Sequence, residues 1–212
     1  MLKKICVSCH YHLRNITKIR KYLSEKTSEI LVHAFISSRL DNCNSLLYGL
    51  PQHLLNRLRA IQNTAARIVT LSKRFDHITP IMFKLHWLPL NHRIHFKILL
   101  LVYKCLNGLA PIYLSELLRY RNSQRLLRSS SQDFLAVPRS RLKTYGDRAF
   151  SVVAPKLWNR LPPELRGVTS VDQFKAHYII VQHFEQLVDT ALYKCLLLLL
   201  LLLLILLLLL LS

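Results

Sequence analysis

The stretch from Ile94 to Leu106 is rich in Leu, Ile, Phe and Val, and Ile94, Ile98, Leu101, Val102, Cys105 and Leu109 recur at intervals of three and four. That interval marks one face of an α-helix. Phe96, Leu99, Leu100 and Leu106 fill much of the other side, and a helix apolar around most of its circumference is buried. Asn91 offers a side-chain cap just after Pro89, Asn107-Gly108 suits a left-handed last turn, and Pro111 blocks continuation. Residues 85–118 therefore hold the expected central helix of a small α-rich domain.

The same period extends to both sides. Leu13, Ile16, Ile19 and Leu23 predict a basic amphipathic helix over residues 1–24. Thr27 or Ser28 is the expected cap of a helix from Glu29 to about Leu40, with Ile30, Leu31, Ala34 and Phe35 inward. Pro51 suits a first helical position. From there Leu54, Leu55, Leu58, Ile61, Ala65, Ile68 and Val69 predict a helix to about Leu71. Short helices are expected over 80–85 and 111–118. Phe134 to Val137 reads as a short strand ended by Pro138. From Tyr145 the pattern is helical again, interrupted at Pro155. Trp87 and Trp158, beside prolines, read as core aromatics at element ends. Ser170 with Gln173 forms a capping box for a last helix carrying Val171, Phe174, Tyr178, Val181 and Phe184.

Only 4 Gly and 8 Pro among 212 residues argue against a turn-rich β fold. The expectation is mainly α: a single helical domain with a basic loop and a short strand, followed by a polyleucine helix. Residues 1–118 form its basic helical region, 119–144 the exposed loop, 145–190 its last helices, and 195–211 the leucine tail.

Charge changes the picture most. There are 30 Lys and Arg against 11 Asp and Glu, a formal net charge of +19. Such a surface points first to nucleic acid and second to an anionic membrane. The densest signal is the Ser-rich segment after Leu118. Between Arg119 and Arg148 stand eight basic residues and two Asp, with Tyr120, Phe134 and Tyr145 interleaved as stacking platforms. The residues assigned to phosphate contact are Arg119, Arg121, Arg125, Arg128, Arg139, Arg141 and Lys143. Their role is charge neutralisation without sequence readout.

Catalytic patterns are missing. There is no G-x-S-x-G elbow and no Gly-rich phosphate loop, and the acids never fall as a pair suited to two-metal chemistry. Cys6-Val7-Ser8-Cys9-His10 has the spacing of c-type haem attachment, but no second Cys or His pair follows at zinc spacing. An ordinary basic helix is the weightier reading, and no metal or cofactor is expected. Five cysteines and no apolar leader suggest free thiols in a reducing, intracellular setting.

Cys195 to Leu211 is low-complexity leucine. As a helix it would span roughly 25 Å, close to the lower limit for crossing a bilayer. It reads either as a translated repeat or as a tail anchor with Lys194 on the cytosolic side.

Several stretches carry a resemblance: FISSRLDNCNSLLYGLP (35–51), LRAIQNTAARIVT (58–70), FDHITPIMFKLHWLPLNHRIHFKILLLVYKCLNGLAPIYLSELL (75–118), RSSSQDFLAVPRSRLKTYGDRAFSVVAPKLWNRLPPELR (128–166) and SVDQFKAH (170–177). LHWLP, GLAPIYL and APKLWNRLP are the distinctive parts. Over most of residues 9–177 the chain resembles the C-terminal portion of a reverse transcriptase of LINE-type (non-LTR) retrotransposons, jockey-like group. Asn42 stands where that family tends to have Tyr. The resemblance implies a thumb-like region downstream of the polymerase palm, holding an RNA–DNA hybrid or RNA by backbone contacts. The palm's Tyr/Phe-Ala-Asp-Asp motif has no counterpart here. The resemblance therefore implies no catalytic residue in this chain and a missing palm domain as its natural partner. The alternative expectation is a tail-anchored membrane protein with a basic cytosolic domain.

Overall fold

Cys6, Cys9, Leu13 and Ile16 form the buried stripe of α1 (Leu2–Ile19) in the computed structural model, which describes residues 2–121, 134–142 and 144–182. Ile19, expected on that stripe, is exposed. Arg20 takes the next inward position at only 7% exposure. Its guanidinium donates to the carbonyls of Ile68 (2.9 Å), Val69 (2.7 Å) and Leu23 (2.6 Å). Two of those carbonyls lie in the last turn of another helix, where they lack intrahelical donors and carry the negative end of its dipole.

The next helix starts earlier than expected. Ser24, not Thr27 or Ser28, is the cap of α2 (Glu25–Val32), and its Oγ accepts the Thr27 N–H at 3.1 Å. A π-turn, His33–Ser37, joins α2 to the single turn α3 (Ser38–Asp41). The wider turn rotates the face that meets the core. Ser28, Val32, Ile36, Ser37 and Leu40 point inward, while Ile30, Ala34 and Phe35, expected inward, are exposed. Ser28 tolerates burial because its hydroxyl donates to the Ser24 carbonyl.

α4 (Gln52–Thr70) buries Leu55, Leu58, Ile61, Gln62, Ala65, Ala66 and Val69. α5 (Ile78–Lys84) leads into the Leu-His-Trp-Leu-Pro segment. His86 adopts a left-handed conformation (φ 53°), its N–H donates to Phe83 and the Trp87 N–H to Met82. This pair of bonds is the Schellman closure of a helix end. It drives Trp87 inward, where its indole N–H donates to Glu29 at 3.0 Å. Gln62 donates to the Leu88 carbonyl at 2.8 Å.

α6 (Leu90–Leu106) is the expected central helix. Its N-cap is Pro89 rather than Asn91: a residue with no N–H to satisfy suits the position before the first turn. Ile94, Ile98, Leu99, Val102, Tyr103 and Cys105 are buried. The far end closes on Gly108 (φ 69°), with Leu109 donating to Lys104 and Gly108 to Cys105. Leu109 lies past that end and is exposed. α6 contacts α4, the 3-10 turn Asn44–Leu47, and the short helix α7 (Ile112–Ser115). It also contacts α8 (Phe150–Trp158).

Pro155 does not interrupt α8, which continues through it to a buried Trp158. Burial of Pro155, Leu157 and Trp158 offsets the one helical bond that proline removes. α9 (Pro163–Arg166), unforeseen from the sequence, follows with proline at its start. α10 begins at 171, directly after Ser170, and is described to 182. It lies on α6 through stacked Tyr103–Phe174 rings (4.7 Å) and the Phe96–Tyr178 pair (5.2 Å). One hydrophobic cluster runs from Cys6 to Tyr178, and the described chain is a mainly α single domain. The leucine tail lies outside the described residues.

Two helix-end positions test the backbone account with opposite signs. Leu71 closes α4 at φ 57° while 68% exposed. Leu71→Gly should stabilise the fold by about 1 kcal/mol, because left-handed backbone is costly for any residue with a Cβ. Gly49 sits at φ 68°, and a Cβ there would meet Arg148 Cγ at 2.8 Å. Gly49→Ala should cost about 2 kcal/mol from strain and crowding together. Urea midpoints read by circular dichroism check both.

Candidate nucleic-acid interface

The expected strand at 134–137 is a single bridge: Leu135 pairs antiparallel with Tyr120. Arg121 donates to the Phe134 carbonyl and Ala136 to the Arg119 carbonyl, each at 2.8 Å. Neighbouring residues of extended backbone aim their polar groups at opposite edges. The N–H and C=O of Leu135 therefore face away from Tyr120, and both are taken by one carboxamide. Leu135 donates to Asn159 Oδ1, and Asn159 Nδ2 donates back to Leu135, each at 2.9 Å. Leu135 itself is buried. A longer strand is unnecessary because the Asn159 side chain stands in for a second neighbour.

This arrangement positions part of the expected site. Arg119 and Arg121 flank Tyr120 on the bridged segment and are exposed. Alternation along extended backbone puts the two on one face. Arg139 and Arg141 are exposed on the irregular segment that follows Leu135. Arg125, Arg128 and Lys143, assigned to the same surface, lie outside the described residues. Of the interleaved aromatics, Tyr145 is exposed, whereas Phe134 has the Arg166 guanidinium over its ring at 4.5 Å.

Other cations of the chain are committed to structure. Arg148 donates to the carbonyls of Tyr48 (2.9 Å) and Leu46 (3.0 Å), tying the segment after the loop to the Asn44–Leu47 turn. Arg93 pairs with Asp41. The acids are committed likewise: Glu25 to Lys84 (2.7 Å), Asp147 to Lys156 (3.6 Å), Asp172 to Lys175 (2.8 Å). Asp76 accepts the Lys73 backbone N–H at 2.7 Å. Asp76, Asp147 and Asp172 meet partners nearby in the chain, whereas Glu25 meets Lys84 at a separation of 59 residues.

The Cys-x-x-Cys-His pair is part of the core. Cys6 and Cys9 are buried, and desolvation pushes the Cys9 thiol up in pKa against the opposing charge of Arg39. His10, by contrast, is exposed. Among the described residues no three His, Cys, Asp or Glu side chains gather closely enough to hold a metal ion.

The basic character of α1 is expected from the sequence, but not that its cations adjoin those of α4 in a second cationic surface. Its signal was there to read: no acid occurs over 1–24 or over 42–75.

Substituting Asn159→Leu keeps the branching and heavy-atom count of the side chain but leaves the N–H and C=O of Leu135 without their partner. It should cost about 2–4 kcal/mol, one desolvation penalty for each group, read as a fall in the urea midpoint. A pH effect is also expected at His95. Burial first, then the charges of His92 and Arg160, lower its pKa, so the folded state holds it neutral. Its stabilising contribution is full above the ordinary histidine pKa and shrinks as the pH falls below it, because the unfolded chain then binds the extra proton. His95→Phe should flatten that acid limb of the thermal midpoint. The chain matches no protein-family model, no curated protein and no solved structure.

Proposed function

We propose that this chain is a thumb-like remnant of a non-LTR retrotransposon reverse transcriptase. The region it resembles lies downstream of the catalytic palm, and the activity we assign to it is binding to the backbone of an RNA–DNA hybrid or RNA. The observation that carries the reading is the bridged pair Arg119 and Arg121. Both are exposed beside Tyr120, whose bridge partner Leu135 is held by Asn159. Exposed guanidinium groups on a fixed backbone bind phosphate without reading bases. The motifs that carry the resemblance support it as well, since each forms a joint of the helical domain. LHWLP turns α5 into α6, GLAPIYL turns α6 into α7, and APKLWNRLP supplies α8 and Asn159.

The membrane-anchored alternative rests on Cys195–Leu211, outside the described residues. Among those described, no helix is long and apolar enough to cross a membrane. Retention of the full chain in membranes after alkaline extraction is the outcome that favours it.

The direct test is binding of the full chain, kept soluble in non-ionic detergent, to a labelled RNA–DNA hybrid across a salt series. Log affinity should fall steeply and linearly with log salt, by close to 0.9 per phosphate neutralised. Replacing Arg119, Arg121, Arg139 and Arg141 together by Gln should flatten the slope by about 3.6. An unchanged slope in that variant sinks the assignment.

A further inference from the structure

α1 and α4 pack against each other, and two adjoining hollows of about 520 and 1030 Å³ run along their junction, sharing Thr17, Thr64 and Ile68. Arg14, Lys18, Lys21, Arg67 and Arg74 line them. Arg14 and Lys18 are four residues apart on one side of α1, and Lys21 follows in the 3-10 turn Arg20–Tyr22 that continues it. Neither helix contains an acid, and no Asp or Glu lines either hollow. Arg67 is steadied by donating to the Asp76 carbonyl at 3.1 Å. Arg14, Lys18, Lys21 and Arg74 are exposed. Asn15 and Asn63 also line the hollows, as does Tyr11, which is 63% exposed.

We infer that this groove binds the sugar–phosphate backbone of a single nucleic-acid strand, without sequence readout. It shares a ligand class with the proposed function and rests on different residues. Packed helices lie about 8–10 Å apart, so the furrow between them is narrow. A duplex, whose major groove alone is about 12 Å wide, cannot enter it, whereas one strand can. Five cations, in hollows lined by no Asp or Glu, supply the phosphate attraction. Asn carboxamides donate hydrogen bonds to phosphate or sugar oxygens, and Tyr11 offers one stacking surface for a splayed base. An anionic bilayer fits less well. A membrane-surface helix presents Trp, Phe or Leu on a convex face next to its cations, whereas here the cations edge a concave furrow in which Asn and Thr stand beside Ile68 and Leu71.

The test uses the full chain in non-ionic detergent with two probes, a fluorescein-labelled oligouridylate and the RNA–DNA hybrid. The groove variant carries Arg14→Gln, Lys18→Gln, Lys21→Gln and Arg74→Gln, all at exposed positions. Far-UV circular dichroism confirms that it folds as the parent does. Its salt slope on oligouridylate should fall by about 3, at roughly 0.7 per cation removed from a single-strand site. Tyr11→Ala should weaken the same binding by about tenfold. The variant that replaces Arg119, Arg121, Arg139 and Arg141 should leave oligouridylate binding unchanged.

An unaltered oligouridylate slope in the groove variant overturns the inference. If the loop variant still loses hybrid binding in that case, the proposed function stands alone. Loss of oligouridylate binding only in the groove variant, with hybrid binding intact in the loop variant, has the reverse meaning. If the groove variant keeps oligouridylate binding but loses binding to phosphatidylserine vesicles, the groove is a membrane-contact surface.

Discussion

Burial of α6 is the constraint on which the rest of the fold depends. A helix with apolar side chains on most of its circumference has to be covered from several directions at once. α4, the Asn44–Leu47 turn, α7, α8 and α10 are that cover. Each well-buried Leu, Ile or Val contributes roughly 1.5–3 kcal/mol relative to exposure, so α6 concentrates more of the favourable free energy than any neighbouring segment of similar length. Its ends are fixed from outside. Tyr103 donates to the Val168 carbonyl at 3.0 Å, and the carbonyl of His92 lies within reach of the Tyr178 hydroxyl at 3.5 Å.

A second constraint is the scarcity of glycine. Helices that end in a Schellman closure need one residue in left-handed backbone, and Gly108 supplies it for α6 without cost. Leu71 and His86 take the same conformation with a Cβ attached. At His86 the cost is offset by what the turn accomplishes: it buries Trp87 and aims its indole at Glu29. At Leu71 no such gain is visible, although the adjacent carbonyls are held by Arg20.

Charge is divided between architecture and surface. Arg20, Arg93 and Arg148 are bound to carbonyls or to a carboxylate, and Glu25, Glu29 and Asp41 are held by partners distant in the chain. Arg119, Arg121, Arg139 and Arg141, and Arg14, Lys18, Lys21 and Arg74 beside the α1–α4 junction, are exposed.

Helix existence was legible from spacing alone. The 3.6-residue period placed α1, α4, α6 and α10, and the run Asn107-Gly108 marked where α6 stops, because these signals depend on neighbours in the chain. Three features were illegible for one reason: they depend on partners distant in sequence. Arg20 has the local look of a solvated cation, and only the end of α4 makes its burial tolerable. Ile30 and Phe35 look like core residues until the π-turn rotates Val32 and Ile36 inward instead. The strand at 134–137 shrinks to one bridge because Asn159 supplies the second edge. The sequence by itself determined which segments are helical and that the surface must be strongly cationic. Only the tertiary structure decided which arginines are spent on carbonyls and which stay at the surface, since that choice turns on long-range packing rather than on local spacing.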